Sequence, residues 1–85
     1  MTRGDLLDRM KRNPVSDWKI ADIEQICRAY HITCRAPSGG GSHFKISYES
    51  VADILTLPAR RPIKPKFIRL LVKFVSVVLN SRSRT

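Results

Sequence analysis

The sequence predicts one small α+β domain in which a three-stranded antiparallel sheet packs one face on helices. Two observations indicate this fold class. Apolar residues recur at helical spacing near both ends of the chain, whereas in the middle they alternate with polar residues, as in half-buried strands. A length of 85 residues suits a single domain with a modest core. We therefore expect a shallow, surface-exposed site and no large enclosed cavity.

Two helices are expected before the strands. Apolar residues between positions 5 and 10 predict a short first helix that ends before Pro14, because proline disfavours helix in the residue that precedes it. We assign residues 1–15 to an N-terminal extension of the domain. Ser16 or Asp17 is expected to cap a second, amphipathic helix. Its apolar positions are Trp18, Ile20, Ile23, Ile26 and Cys27.

Three strands are expected in the middle of the chain, at about residues 32–36, 43–48 and 53–57. A turn with three consecutive glycines joins the first two strands, and a weaker turn joins the last two. The inward face of the third strand stays open, with Leu55 and Leu57 preferred. The outward face of the first two strands is expected to carry Thr33, Arg35, His43, Lys45 and Ser47.

The last predicted helix follows a basic linker, residues 59–64. Pro65 suits the first helical position, where its missing N–H costs nothing, and the helix is expected to run to about Asn80. Its apolar surface is broader than a surface helix needs, so it is either sandwiched between other elements or docks a partner. Residues 81–85 are expected to form a flexible basic tail.

The chain is strongly basic, with a formal net charge of +9 and a pI of about 10.4. Such a charge indicates a polyanionic partner, either a nucleic acid or an acidic protein surface. Residues 1–35 carry seven Lys/Arg against five acids, a net of +2, and residues 36–85 carry nine against two, a net of +7. The basic excess therefore belongs to the half that contains His43.

The cysteines and the chain ends exclude several classes of protein. Cys27 and Cys34 are too few to make a disulfide framework or a zinc site, so we expect free thiols. Charged residues occupy the N-terminal segment, where a secretory signal would need an apolar run. The apolar C-terminal stretch is too short and too charged to span a bilayer. These features predict a cytoplasmic protein with no membrane partner and no cofactor.

The segment from Gly39 to His43 is the candidate active loop, because it brings an imidazole to the start of a strand after a flexible turn. His43 can exchange a proton near neutral pH, and RNA brings its own nucleophile, the 2′-hydroxyl. Lys45, with Arg35 or Arg61 nearby, can stabilise charge on the scissile phosphate. The candidate substrate-binding residues are Gly41, Ser42, Lys45, Arg35, Arg61 and Lys64.

Each of these features also has a structural interpretation. A single histidine at a strand start is most often an ordinary half-exposed residue, and three glycines are usually only a loop. His31 is expected to be structural or to face the helix dipole, rather than to serve as a second catalytic imidazole. Trp18 and Phe44 fall on apolar stripes, which favours core packing over stacking on bases.

The order of elements and two short motifs resemble a known family. Gly41-Ser42-His43 enters the second strand, Leu57-Pro58-Ala59 ends the third, and Ile63-Lys64-Pro65 opens the last helix. Over roughly residues 17–80 this pattern is similar to the HicA toxins of bacterial toxin–antitoxin systems. The resemblance implies an α-β-β-β-α fold like a double-stranded-RNA-binding domain, here with an extra N-terminal helix.

The resemblance also implies a function. It predicts an endoribonuclease, or mRNA interferase, that arrests translation as part of a stress response and is neutralised in a hetero-oligomer by a cognate HicB antitoxin. In that family the histidine after Gly-Ser is catalytic, and this position is His43 here. The leading hypothesis is a metal-independent ribonuclease toxin. The alternatives are a non-catalytic RNA-binding module that uses the same basic face, and a small adaptor for acidic proteins.

Overall fold

The computed structural model describes residues 3–37 and 43–83 of the chain. Its elements, in order, are α1 (Arg3–Arg12), α2 (Ile20–Ala29), β1 (Thr33–Arg35), β2 (His43–Tyr48), β3 (Val51–Pro58) and α3 (Pro65–Ser83). This architecture confirms the predicted α+β class and the α-β-β-β-α order after an additional N-terminal helix. In the part of the chain that the structure describes, no helix is both long and apolar enough to cross a membrane.

The sheet has the strand order β1-β2-β3, and both pairs of neighbours are antiparallel. In the β1–β2 pair, Arg35 lies opposite Lys45. In the β2–β3 pair, His43 lies opposite Pro58 and Lys45 opposite Thr56. The β2–β3 register shifts between Ile46 and Tyr48, so the ladder is irregular near the turn.

The two faces of the sheet follow the predicted alternation, except that Phe44 is only half-buried and does not join the core. On the inner face Ile46 and Leu57 are completely buried, and Leu55 is partly buried against the same core. This confirms the preferred inward pair on β3. On the outer face the side chains of Thr33, Arg35, His43 and Lys45 are exposed, and Ser47 is half-buried.

The core lies between the inner face of the sheet and the three helices. From α3 it takes Ile68, Leu71, Phe74, Val75 and Val78, and from α2 Ile23, Ile26 and Cys27. The broad apolar surface of α3 is therefore mostly sandwiched between other elements, which is the first of the two predicted alternatives. Only a few of its large apolar side chains stay exposed.

The first helix belongs to the core rather than to an appendage. Leu7 and Met10 are 5% and 0% exposed, and α1 packs against both α2 and α3. The turn after α1 is held by Trp18, whose Nε1 donates a hydrogen bond to the carbonyl of Asn13 at 2.7 Å. The assignment of residues 1–15 to an N-terminal extension stays a prediction, and within the described part of that segment α1 closes one side of the core.

The start of α2 differs from the prediction. The N-cap is Lys19 rather than Ser16 or Asp17, and the Lys19 backbone N–H donates to the carboxylate of Asp22 at 2.9 Å. Asp17 does not cap the helix, because its carboxylate binds the guanidinium of Arg61. Trp18 thus precedes the helix, and its carbonyl accepts a hydrogen bond from the N–H of Ile63 at 2.8 Å.

His31 follows the C-cap of α2 and has a structural role there. It has a positive φ of 58°, directly after the C-cap Tyr30. The N–H of Ile32 reaches the carbonyl of Cys27 at 2.8 Å, and the N–H of His31 reaches that of Arg28 at 3.4 Å. These two bonds form a Schellman motif, in which the left-handed position is usually glycine. The predicted structural role of His31 is confirmed.

We expect His31→Gly to raise the free energy of unfolding by about 1 kcal/mol, since it relieves the steric cost of a left-handed residue with a Cβ. The side chain is exposed, so its removal leaves no cavity. Urea denaturation followed by circular dichroism measures the change. His31→Ala, which retains the Cβ, is the control and should bring no gain. A loss of stability in the glycine variant would contradict the motif.

β3 and α3 are both longer than predicted. β3 begins at Val51, so the turn shrinks to Glu49 and Ser50. α3 continues through residues 81–83 of the predicted tail, and residues 84–85 lie outside the described residues. The extension has partners: Arg82 donates to the hydroxyl of Tyr48 at 3.0 Å and to the backbone carbonyl of Tyr30. These contacts hold the end of α3 against the sheet and α2.

Candidate nucleic-acid interface

His43 stands at one end of the outer face, where β2 begins. It is exposed and lies opposite Pro58, the last residue of β3. Beyond Pro58 the chain leaves the sheet, and Ala59 and Arg60 line the same shallow depression as His43. The imidazole is therefore open to a large ligand, and Arg60 lines the same depression.

Arg60 is the residue that sequence reasoning missed. The predicted set contained its neighbour Arg61 but not Arg60. No signal in the sequence separates the two neighbours, because both arginines follow Pro58 and carry the same charge.

Two further cations lie on the same outer face as His43. Arg35 and Lys45 are direct cross-strand partners, both exposed, so their Cβ atoms are about 5 Å apart. Lys45 is two residues from His43 along β2, a rise of about 7 Å. Like charges placed directly opposite each other are unfavourable unless an anion lies between them. The arrangement suits a phosphate group within reach of the imidazole.

Arg61 is engaged by an acid. Its Nη2 is 2.5 Å from Oδ2 of Asp17, and its Nε lies 3.0 and 3.2 Å from the two carboxylate oxygens. This pairing lowers the pKa of the Asp17 carboxyl and raises that of Arg61. Because the folded-state pKa of Asp17 is depressed, the ion pair stabilises the fold at neutral pH. This stabilisation is lost as the pH falls through that lowered pKa.

The remaining predicted substrate-binding residues have separate positions. Lys64 is exposed just before α3, and its carbonyl accepts hydrogen bonds from the N–H groups of Phe67 and Ile68 at 2.9 and 3.2 Å. Gly41 and Ser42 lie outside the described residues. The structure thus brings together His43, Lys45 and Arg35 and adds Arg60, whereas Arg61 is held by Asp17.

His31 is at the other end of the sheet. It shares a depression with Thr33, Tyr48 and Glu49. The six residues of β2 separate this end from His43, which corresponds to about 17–20 Å. The two imidazoles of the chain therefore face different parts of any ligand, and only His43 is next to Lys45.

The two cysteines are free, as predicted. Burial, together with the neighbouring Cys34 thiol, raises the pKa of Cys27 to about 12. Burial also raises the pKa of the half-buried Cys34. Both groups stay protonated at neutral pH, so neither supplies the thiolate that nucleophilic chemistry requires. Among the residues that the structure describes, no three His, Cys, Asp or Glu side chains cluster in a way that could hold a metal ion.

No family model, curated protein or solved structure matches this chain.

Proposed function

We propose that this protein is an endoribonuclease of the HicA type, which cleaves mRNA through proton transfer by His43 and so arrests translation. The observation that carries the proposal is the exposed imidazole of His43 on the same sheet face as Arg35 and Lys45, in a depression that Arg60 also lines. The net charge of +9 supports a polyanionic substrate.

The reaction needs no nucleophile from the protein. The 2′-oxygen of RNA attacks the adjacent phosphorus, the bond from phosphorus to the 5′-oxygen breaks, and a 2′,3′-cyclic phosphate remains. His43 takes the proton of the 2′-hydroxyl as a general base while water protonates the leaving 5′-oxygen, or it protonates that oxygen as a general acid while water takes the 2′-hydroxyl proton. Lys45, Arg35 and Arg60 neutralise the charge that grows on the non-bridging oxygens. No metal ion takes part in these steps.

The open shape of the face supports single-stranded or loosely structured mRNA as the proposed substrate. The proposed location is the cytoplasm, because mRNA is translated there. A nuclease with such an accessible site must be silenced while its host grows. A HicB-like antitoxin that covers His43 in a hetero-oligomer is the proposed partner.

The test uses the purified chain with two oligonucleotides of one sequence in the presence of EDTA. One is RNA, and the other carries deoxyribose throughout. We expect cleavage of the RNA only, with 2′,3′-cyclic phosphate ends. Cleavage of the DNA, or 5′-phosphate ends on the RNA fragments, would show that the 2′-hydroxyl is not the nucleophile and would refute the mechanism.

The main alternative is a non-catalytic RNA-binding module. The same cationic face would bind phosphates, with an affinity that falls steeply as salt is added. In that case the RNA stays intact at every protein concentration, although it is retained in a gel. An adaptor for acidic proteins would leave the RNA intact and unbound.

The neighbours Arg60 and Arg61 supply a matched pair of variants. We expect Arg60→Gln to lower kcat/KM for RNA cleavage by about tenfold, because a cation next to the reacting phosphate is lost in a partly hydrated site. Arg61→Gln should lower it less than about threefold, because Asp17 already engages that guanidinium. Cleavage assays under single-turnover conditions measure both. Equal losses would remove Arg60 from the proposed site.

A further inference from the structure

A second surface lies between β3 and α3, and nothing in the proposed RNA chemistry uses it. Its apolar lining consists of Val51, Ile54, Leu55, Leu70, Phe74 and Val77, and we call it the β3–α3 groove. Ile54, Leu70 and Val77 are 61%, 46% and 41% exposed. Large apolar side chains that lie together at the surface of a small domain typically mark an interaction site.

The groove runs beside an open sheet edge. In the strand order β1-β2-β3, the described part of the chain pairs β3 with β2 alone, so the other edge of β3 carries no strand. β3 is eight residues long and contains no lysine, and its only proline is the final residue, Pro58. Lysine and proline within an edge strand usually prevent a further strand from pairing with it. Over residues 55–58, beyond Asp53 and the register shift, the edge can therefore accept an extended segment from another chain.

The helix side of the groove is basic. Lys73 lines it, and Lys66, Leu70, Lys73 and Val77 follow the four-three-four spacing that places residues on one helix face. α3 contains no acidic residue, and Asp53 on β3 is the only acid in the lining. An occupant that brings carboxylates to Lys66 and Lys73 matches this charge. A second copy of the chain, also at +9, would bring cations to cations.

We propose that the β3–α3 groove is the docking surface for a different protein, which adds an acidic, extended segment to the edge of β3. Apolar side chains of that segment contact Leu70, Val77 and Ile54, and its carboxylates reach Lys73. Its backbone continues the sheet as a fourth strand. The outer face with His43 remains outside this contact, so docking at the groove and RNA cleavage are separate properties.

The probe is a random peptide library displayed on phage and selected on the full-length chain. Counter-selection on the double variant Leu70→Ser/Val77→Ser removes peptides that bind the basic sheet face. We expect the survivors to alternate apolar and polar residues and to be rich in Asp and Glu. Basic survivors, or amphipathic sequences with helical spacing, would overturn the proposal, and so would an absence of peptides that depend on Leu70 and Val77.

Point variants then test the contacts with the best selected peptide. Leu70→Ser should weaken binding by about tenfold. Leu79→Ser makes the same change on the same helix outside the groove, and it should change the affinity by less than about twofold. Lys73→Glu should weaken the acidic peptide and strengthen a charge-reversed one. In all three variants RNA cleavage should equal that of the wild type, which separates this proposal from the nuclease. Equal effects of Leu70→Ser and Leu79→Ser would refute it.

Hydrogen exchange and sedimentation complete the test. Bound peptide should slow exchange at those β3 amides that are not bonded to β2, which is the signature of an added strand. Protection confined to α3 would mean that no strand is added. Sedimentation of the free chain should show a monomer at all concentrations. A dimer abolished by Leu70→Ser would assign the groove to a second copy instead.

Discussion

His43→Ala is expected to lower the rate of RNA cleavage by about 10²–10⁴-fold, the usual contribution of one general acid or base. The same change should alter the free energy of unfolding by less than about 0.5 kcal/mol, because the side chain is exposed at the start of β2. Cleavage of labelled RNA by the purified chains measures the first quantity, and urea denaturation the second. Growth after induced expression gives the cellular counterpart.

The matched control is His31→Ala, since His31 is the other imidazole and lies about 17–20 Å away along the sheet. It should cleave RNA at the wild-type rate. The His43→Ala protein should still bind RNA in a salt-dependent way, because Arg35, Lys45 and Arg60 remain. Equal cleavage, or equal toxicity, from wild type and His43→Ala would refute the catalytic assignment and favour the RNA-binding module.

Met10→Ala is expected to lower the free energy of unfolding by about 2–4 kcal/mol, which is the usual cost of emptying a buried methionine site. Met10 is 0% exposed and lies in α1, which packs on α2 and α3. For a domain of this size the loss is a large fraction of the total stability. Chemical denaturation of the full chain, followed by tryptophan fluorescence, measures the change.

Val15→Ala is the control for Met10→Ala, since Val15 follows α1 and is 74% exposed. Its effect should stay within about 0.5 kcal/mol. If both variants lower the free energy of unfolding by the same small amount, α1 does not contribute to the stability of the core. A large difference shows that residues 1–15 are part of the cooperative unit.

The strands and their faces could be predicted because the information is local. Alternation in residues 43–48 separates His43 and Lys45 from Phe44 and Ile46, whatever the rest of the chain does. The burial of Ile46 and the exposure of Lys45 follow that pattern. The helices were predictable for the same reason, since their apolar spacing is a property of each segment alone.

The boundaries and the role of α1 could not be predicted, because they depend on distant partners. Asp17 is a good N-cap by residue type, yet Arg61 engages its carboxylate from 44 positions away. Residues 81–83 look like a polar tail until Tyr48 and Tyr30 offer acceptors to Arg82. Met10 is buried because α1 packs on α3, and the sequence of α1 alone does not show that contact.

The candidate site also has some features that the sequence predicts and others that depend on distant contacts. The sequence by itself determined that an imidazole and a lysine share one strand face and that the chain carries a large positive charge, because strand period and composition need no tertiary contacts. Only the tertiary structure decided which of two adjacent arginines, Arg60 or Arg61, lines the depression at His43. The two residues have the same chemistry, and what separates them is the direction in which the chain leaves β3 after Pro58, a direction set by packing across the whole domain.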